Sequence, residues 1–365
     1  MELIGGKMTQ QTWIKIILFP LSWAAAQLYG QGVRLRLWLY RRQFFTARHL
    51  PLNVISIGNL VVGGTGKTPH TALLAAYLQK KGLRVAVLSR GYRGKKMKTG
   101  AVISNDRTVT GSLEDGGEEP YWLAQKLPGI PVVVGRDRYQ SGLLCHRTWR
   151  TEWAILDDGF QHLALTRQIN ILLWPANHRP GSGELLPLGR LREPLREIRR
   201  ADLILITHAE RLDPSERTVL KKDFQSGPAP VPVFFSVHKP AVLWRYPDHS
   251  FFPLERLEGK RVLAFCGLAD PGSLFFSLNQ LGADPVKLIE FPDHHVYREQ
   301  DKRSLEVLGR SCGVEVLITT EKDALKLGDW NREDLQILVL GIAIEIEDPA
   351  FWDWLDRKTG MQHEA

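Results

Sequence analysis

The sequence predicts an α/β protein: a largely parallel sheet flanked by helices, joined by extended β segments to a second, smaller α/β unit. Three observations predict it. Short runs of β-branched and apolar residues alternate with helical patterns between residues 53 and 207. A glycine-rich cluster lies between one such strand and the next helix. After a proline-rich stretch, a strand-loop-helix pattern restarts at residue 261.

Composition fits this class. The 365 residues are 44% hydrophobic and 24% charged, which excludes a disordered, collagenous or coiled-coil chain and leaves room for two domains. Cys145, Cys266 and Cys312 are widely spaced and odd in number, so neither a disulfide framework nor a zinc motif is expected, and a reducing compartment fits.

The formal charge of +8 looks like a nucleic-acid signal until its distribution is considered. Residues 1–52 hold Lys7, Lys15, Arg34, Arg36, Arg41, Arg42 and Arg48 against Glu2 alone, a net +6, and the rest of the chain is nearly neutral. Trp13, Phe19, Trp23, Tyr29, Trp38, Tyr40, Phe44 and Phe45 alternate with those cations. Such a mixture suits a lipid headgroup region, so anionic membrane lipids are the expected partner and nucleic acid is not.

Residues 16–33 carry no charge, but Pro20, Gln27, Gly30, Gln31 and Gly32 interrupt them, which favours an interfacial helix with a bend near Pro20 over a spanning one. Arg34, Arg41 and Arg48 recur every seven residues along one stripe, with Leu35, Trp38 and Leu39 on another face. Two other readings share the pattern: a cleavable signal built on Lys15 and Ala24-Ala25-Ala26, and a stripe that packs on the protein's own core.

Residues 53–58 read as a buried strand and 69–81 as a helix, with Gly63-Gly64-Thr65-Gly66-Lys67-Thr68 between them. Glycines there let backbone N–H groups face phosphate oxygens, and the helix adds its positive end. Lys67 is placed for the β- and γ-phosphates, Thr68 for magnesium. Val61 stands where the usual G-x-x-x-x-G-K-[ST] pattern has its first glycine, so the match is to the variant with two adjacent glycines.

Residues 153–157 form an apolar strand ending in Asp157-Asp158-Gly159, the second half of a nucleotide site, expected beside the first strand at the carboxyl edge of the sheet. One acid would hold magnesium and the other orient a partner. With strands at 85–89, 132–134, 169–174 and 203–207, the core reads as that of a P-loop NTPase, a kinase or ATPase.

Beyond these strands lie Ser89-Arg90-Gly91-Tyr92-Arg93-Gly94, Gly116-Gly117-Glu118-Glu119-Pro120, Gly135-Arg136-Asp137-Arg138 and a 185–194 loop with Arg190 and Arg192. Arginine-bearing loops gathered at one edge point to anionic ligands.

Together these segments resemble the tetraacyldisaccharide 4'-kinases, the lipid A 4'-kinases of Gram-negative bacteria. The likeness covers most of the chain. It runs through Pro20-Leu21-Ser22, residues 36–40, 58–69 and 89–92, Asp157-Asp158-Gly159-Phe160-Gln161-His162, and Leu186-Pro187 to Pro194. It continues with Phe291-Pro292-Asp293-His294-His295 and Thr319-Thr320-Glu321-Lys322-Asp323-Ala324.

The resemblance implies transfer of the γ-phosphate of ATP, with Mg2+, to the 4'-hydroxyl of an acylated glucosamine disaccharide 1-phosphate at the cytoplasmic face of the inner membrane. It implies Glu118 and His294 as the pair acting on the hydroxyl, with Lys67 and Asp158 in catalysis and Glu119 joining Thr68, Asp157 and Asp158 around the metal. Nucleotide contacts would come from residues 63–68 and from Thr320, Lys322 and Asp323, the last group equally readable as a helix amino terminus. Acceptor contacts would come from Asn59, Arg90, Tyr92, Arg138, Gln161, His162, Arg192 and Glu193, with Arg138 and Arg192 neutralising phosphate charge.

Three positions depart from the family pattern: Glu118 where an aspartate is usual, Pro175 for an acid and Ser182 for an asparagine. Domain closure would bring His294 to the phosphate loop. The expected division is a membrane-associating segment at 1–52, the kinase domain at 53–227, an extended linker at 228–253 and a smaller α/β domain at 254–365. Two other functions share parts of the pattern: a partitioning-type ATPase on membranes or DNA, which would carry lysine at Val62, and a kinase of a soluble metabolite, which needs no basic aromatic amino terminus.

Overall fold

The computed structural model describes residues 10–180, 183–226, 231–330 and 335–361, and over residues 10–19 the backbone alone. Lys7, Ser182 and the start of the expected linker at Pro228 lie outside the described residues, as do the side chains of Trp13, Lys15 and Phe19.

In chain order the elements are α1 (Gln10–Arg41), β1 (Asn53–Asn59), α2 (Lys67–Lys80), β2 (Val85–Ser89), β3 (Ala101–Ser104), α3 (Leu113–Gly116), α4 (Glu118–Lys126), β4 (Val132–Val134), α5 (Arg138–Trp149), β5 (Trp153–Asp157), β6 (Ile169–Pro175) and β7 (Leu203–Thr207). They continue as α6 (Pro214–Gln225), β8 (Val233–Tyr246), β9 (Phe251–Phe252), β10 (Arg261–Cys266), α7 (Gly272–Gln280), β11 (Asp284–Glu290), α8 (Glu299–Ser311), β12 (Val316–Thr320), α9 (Glu321–Ala324), β13 (Gln336–Ile346) and α10 (Ala350–Thr359).

All strands join one sheet in the order β11-β10-β12-β13-β8-β7-β6-β1-β5-β2-β4-β3, with β9 on β8. From β7 to β4 neighbours run parallel, and β3 closes that edge antiparallel. β1 pairs with β5 from Asn53↔Trp153 to Ile57↔Asp157, so the glycine loop and the acidic strand end are neighbours, as the sequence predicts. β1 lies between β5 and β6, which makes the carboxyl end of β1 the switch point where a crevice opens.

The strands are apolar because both faces are covered. Ile55, Ile57, Val87 and Ile155 pack under α2 and α4 with Leu74, Leu78 and Leu123, while Val54, Leu88 and Leu156 face a second cluster with Cys145 of α5. Strands β10, β12 and β13 have their own clusters around Leu263, Phe265 and Leu317 and around Val262, Ala264 and Leu338.

Two features connect the halves. β8 is one strand where the sequence reads as two extended pieces of a connector: residues 233–235 pair parallel with β7, and residues 236–246 pair antiparallel with β13. At the carboxyl end, Phe351, Trp354 and Leu355 of α10 pack back into the cluster beneath β1. Tyr77 of α2 donates to Asp356 at 2.7 Å, and Lys81 pairs with the same carboxylate at 3.0 Å.

Helix α1 runs unbroken through Pro20. Ala26, Gly30 and Leu37 are buried on one face at helical spacing, and a Cβ at Gly30 would come within 2.9 Å of Leu185 Cδ1. Leu21, Trp23, Leu28, Leu35, Trp38, Phe44 and Phe45 are exposed. One face of this segment therefore packs on the core, and the other presents apolar and aromatic side chains to the outside. Among the described residues no helix is long and apolar enough to cross a membrane.

Candidate active site

A cleft of about 1070 Å³ opens at the carboxyl ends of β1 and β5 and is closed on its far side by residues of the β10–α7, 291–295 and β12–α9 segments. Its floor is the glycine loop. Gly63 has φ +124° and Gly66 φ +68°, backbone that L side chains rarely adopt, and a Cβ on Gly66 would stand 2.7 Å from His238 Nε2. Gly66 caps α2 without any side-chain bond, which leaves the first helical N–H groups facing the cleft for phosphate oxygens. Thr65 is fixed from below, since Asn59 Nδ2 donates to its hydroxyl at 2.7 Å.

Asp157 and Asp158 end β5 beside this loop. Arg192 donates to both oxygens of Asp158 at 2.9 Å, and Lys67 Nζ lies 3.9 Å from Asp158 Oδ1. Asp157 is buried and accepts from Thr71 Oγ1 at 3.1 Å. Burial, with Glu119 and Asp158 nearby, pushes its carboxyl up to about 7. Thr68, Asp157, Asp158 and Glu119 all line this part of the cleft and offer only oxygen, the donor chemistry that suits a hard divalent ion such as Mg2+.

Gly117, with φ +82°, starts α4 and turns Glu118 and Glu119 into the cleft; a Cβ there would meet the Tyr92 carbonyl at 2.4 Å. His294, itself at φ +64°, points in from the opposite wall and bonds to Glu118 Oε2 through Nδ1 at 3.1 Å, with Nε2 3.7 Å from Asp293. The longer side chain at 118 therefore reaches the histidine. The hydrogen bond to Glu118 chiefly holds His294 above its ordinary value, against burial. Burial pushes Glu118 up, but the His294 bond and the Lys326 charge outweigh it and hold that carboxyl below its usual range. Lys326 was not legible as a site residue: it is buried and lies 3.3 Å from Glu118 and 3.2 Å from Asp323.

The second segment expected to contact the nucleotide, Thr320 to Asp323, divides. Lys322 lines the cleft and donates to Glu119 at 3.1 Å, and its charge depresses Glu119 to about 2. Thr320 also lines the cleft, but its hydroxyl accepts from the Asp323 N–H at 3.3 Å, so the helix-terminus reading describes this turn. Asp323 is fully buried and accepts from Gly267 N–H and Tyr297 Oη, which removes it from direct contact.

Of the expected acceptor residues, Arg90, Tyr92, Arg138, Gln161, His162 and Arg192 line the cleft. Burial and the Arg138 charge push His162 down to about 3, so the ring stays neutral. Arg138 is 5% exposed and its Nε has no partner. Two others do not reach the cleft wall. Asn59 is buried beneath Thr65, and Glu193 is buried against Arg200, so each supports a loop that does the touching. The motif places them beside contact residues, and chain neighbours on a turn need not face the same way.

Sequence reasoning missed the part of α1 that lines the cleft. Tyr29 Oη donates to the Arg192 carbonyl at 2.8 Å, and Arg36 Nη2 to the Gln161 carbonyl at 2.8 Å, so the amino-terminal helix grips both loops. Arg136, Asp270, His208, Glu210 and His238 also line the cleft. His208 and Glu210 directly follow the 203–207 strand, the same signal that marked the cluster holding Arg136, whereas His238 lies within β8 and carries no such signal.

Comparison with known proteins agrees with this geometry. The family model "Tetraacyldisaccharide-1-P 4'-kinase" matches residues 14–360. The tetraacyldisaccharide 4'-kinase of Pelobacter propionicus is 42% identical over 329 residues, covering 88% of this chain and 87% of that protein. That of Desulfatibacillum aliphaticivorans is 38% identical over 340 residues, covering 91% and 90%. The crystal structure of LpxK from Aquifex aeolicus, described as an "apo" form in complex with ATP, is similar with a TM-score of 0.72 and 34% identity over 95% of this chain and 99% of that one. By the extent of the family match, the cleft and its phosphate loop are those of a member of the tetraacyldisaccharide-1-P 4'-kinase family, to which this chain belongs.

Proposed function

We propose that this protein transfers the γ-phosphate of ATP to the 4'-hydroxyl of a tetraacylated glucosamine disaccharide 1-phosphate, working at the cytoplasmic face of the inner membrane. The observation that carries it is the single cleft in which the glycine loop, the Glu118–His294 pair and the inner face of α1 meet. A soluble acceptor would not call for a helix with an apolar outer face on that wall.

In this reading Gly63, Gly64 and Gly66 offer N–H groups to the triphosphate, and Lys67 reaches its outer phosphates. Mg2+, when bound by Thr68 and the Asp157, Asp158 and Glu119 carboxylates, supplies charge neutralisation on the phosphates. Glu118 accepts a hydrogen bond from the Nδ1–H of His294, which leaves Nε2 as the base for the sugar hydroxyl and stabilises the imidazolium formed when Nε2 takes that proton. Arg192 holds Asp158 in place, and Arg138 has a buried, unpartnered nitrogen available for phosphate oxygen. Phosphoryl transfer depends mainly on such positioning and electrostatic stabilisation.

We also read residues 53–227 and 254–365 as two domains, supported by their separate apolar clusters, with α10 returned to the first. The exposed side chains of α1 and its cations would rest on an anionic leaflet, which leaves the acyl chains of the acceptor in the bilayer.

The test measures phosphate transfer from ATP to the acylated disaccharide 1-phosphate beside ATP hydrolysis without acceptor. Phosphorylated lipid with little free hydrolysis supports the reading. Acceptor-independent hydrolysis alone, or transfer only to soluble sugars, overturns it. Flotation with anionic vesicles tests the membrane part: deletion of residues 1–48 is expected to abolish association, and unchanged flotation would refute it.

A further inference from the structure

Behind the phosphate loop, where β7 ends and β8 passes, His208, Glu210 and His238 bring one ligand atom each within 4.8 Å of one another. Among the described residues this is the one such group of three, and the reaction scheme uses none of its members.

The hydrogen bonds decide what the group lacks. His208 Nε2 donates to the Gly64 carbonyl at 3.2 Å, and its Nδ1 lies 3.1 Å from Glu210 Oε1, so that either a proton or a metal ion must stand between those two atoms. A lone pair and a carboxylate oxygen repel unless a cation stands between them. Ligands of a tetrahedral zinc ion at about 2.0 Å lie about 3.3 Å apart, close to this separation. Glu210 is oriented by the His238 backbone N–H, which donates to Oε2 at 3.0 Å. A ring nitrogen that ligates while its other N–H is donated to a backbone carbonyl is the usual arrangement around a metal.

The third member is an independent sign. His238 is 5% exposed, yet neither of its ring nitrogens has a partner. Its ring lies on that of His208, centroids 3.7 Å apart and 6° from parallel, so rotation of the His238 side chain is needed to turn a nitrogen toward the shared ion. Arg211, a cation whose charge acts on His238, is paired with Asp270 at 2.8 Å.

We propose that His208, Glu210 and His238 form a binding site for a borderline-soft divalent cation of the zinc class, distinct from the oxygen-lined Mg2+ position. Two imidazoles and one carboxylate suit zinc and not magnesium, which demands oxygen ligands and keeps its waters. A fourth position remains open toward the cleft. Through His208 the bound ion would fix the Gly64 carbonyl, at the first pair of glycines in the phosphate loop.

The experiment uses the full chain, stripped with a chelator and exchanged into buffer free of nucleotide and Mg2+. It is titrated with Zn2+ against a chromophoric chelator and, separately, with Co2+ followed by visible absorption. The expected result is one equivalent of Zn2+, not displaced by millimolar Mg2+, and intense four-coordinate Co2+ bands without thiolate charge transfer. His238→Gln and Glu210→Gln are each expected to weaken binding at least about ten-fold, while His295→Gln, on the separate His295–Asp301 pair, leaves it unchanged.

No zinc retained by the unaltered chain, or equal retention by His238→Gln, overturns the proposal; a mere proton between His208 and Glu210 would give the first of these results. Should the variants fail to fold, the Co2+ spectrum of the unaltered chain decides, since weak six-coordinate bands overturn the site.

Discussion

Glu118 Oε2 and His294 Nδ1 stand 3.1 Å apart although 176 residues separate them in the chain. One begins α4 at the edge of the first sheet half, and the other lies on the 291–295 loop of the second. The contact spans the cleft and joins its two walls. His294→Ala is expected to lower kcat by about 10²–10⁴-fold, the range for a lost general base, with little change in KM for ATP. Steady-state kinetics with saturating acceptor check this.

The same pair sets a pH dependence. A base acts unprotonated, and the Glu118 bond holds His294 above its ordinary value, so kcat/KM should fall as pH drops through that raised value. Glu118→Gln removes the anion that favours the imidazolium. The acidic limb of the pH–rate profile is therefore expected to move to lower pH, together with a reduced plateau.

Gly66→Ala tests the phosphate loop. At φ +68° an alanine costs about 1–3 kcal/mol in backbone strain, and its methyl would meet His238 Nε2 at 2.7 Å and His70 Nδ1 at 3.3 Å. The variant should lose most of its ATP affinity by calorimetry while retaining the far-ultraviolet circular dichroism of the folded chain.

Arg200 pairs with Glu193 and Glu197, both buried, and its guanidinium covers the Phe160 ring at 4.5 Å. Burial lifts Glu193 above its usual range even with Arg200 present. Arg200→Ala would leave that acid without its ion-pair partner, at a cost of about 3–5 kcal/mol. Urea denaturation of the variant beside the parent measures it.

Much of the first half was legible in the sequence. The runs at 85–89, 132–134 and 203–207 coincide with β2, β4 and β7, since strands covered on both faces leave uninterrupted apolar stretches. β8 was not, because Pro240 divides its sequence pattern. In the sheet that proline sits at a register shift opposite Ile342, where a missing N–H is tolerated. The motifs located the cleft but did not distinguish contact from support. Asn59, Glu193 and Asp323 sit in motif positions yet are buried, whereas Lys326 and Arg36 reach the site through the fold alone. No local pattern relates Lys326 to Glu118, or α10 to the cluster around Leu74.

The chain crosses between its halves twice, outward along β8 and back from β13 into α10, whose Phe351 and Trp354 are anchored beneath β1. A body held at one point can swivel in any direction, but one held at two turns only about the line that joins them. Two attachments rather than one therefore limit how the segment that carries His294 can sit relative to Glu118.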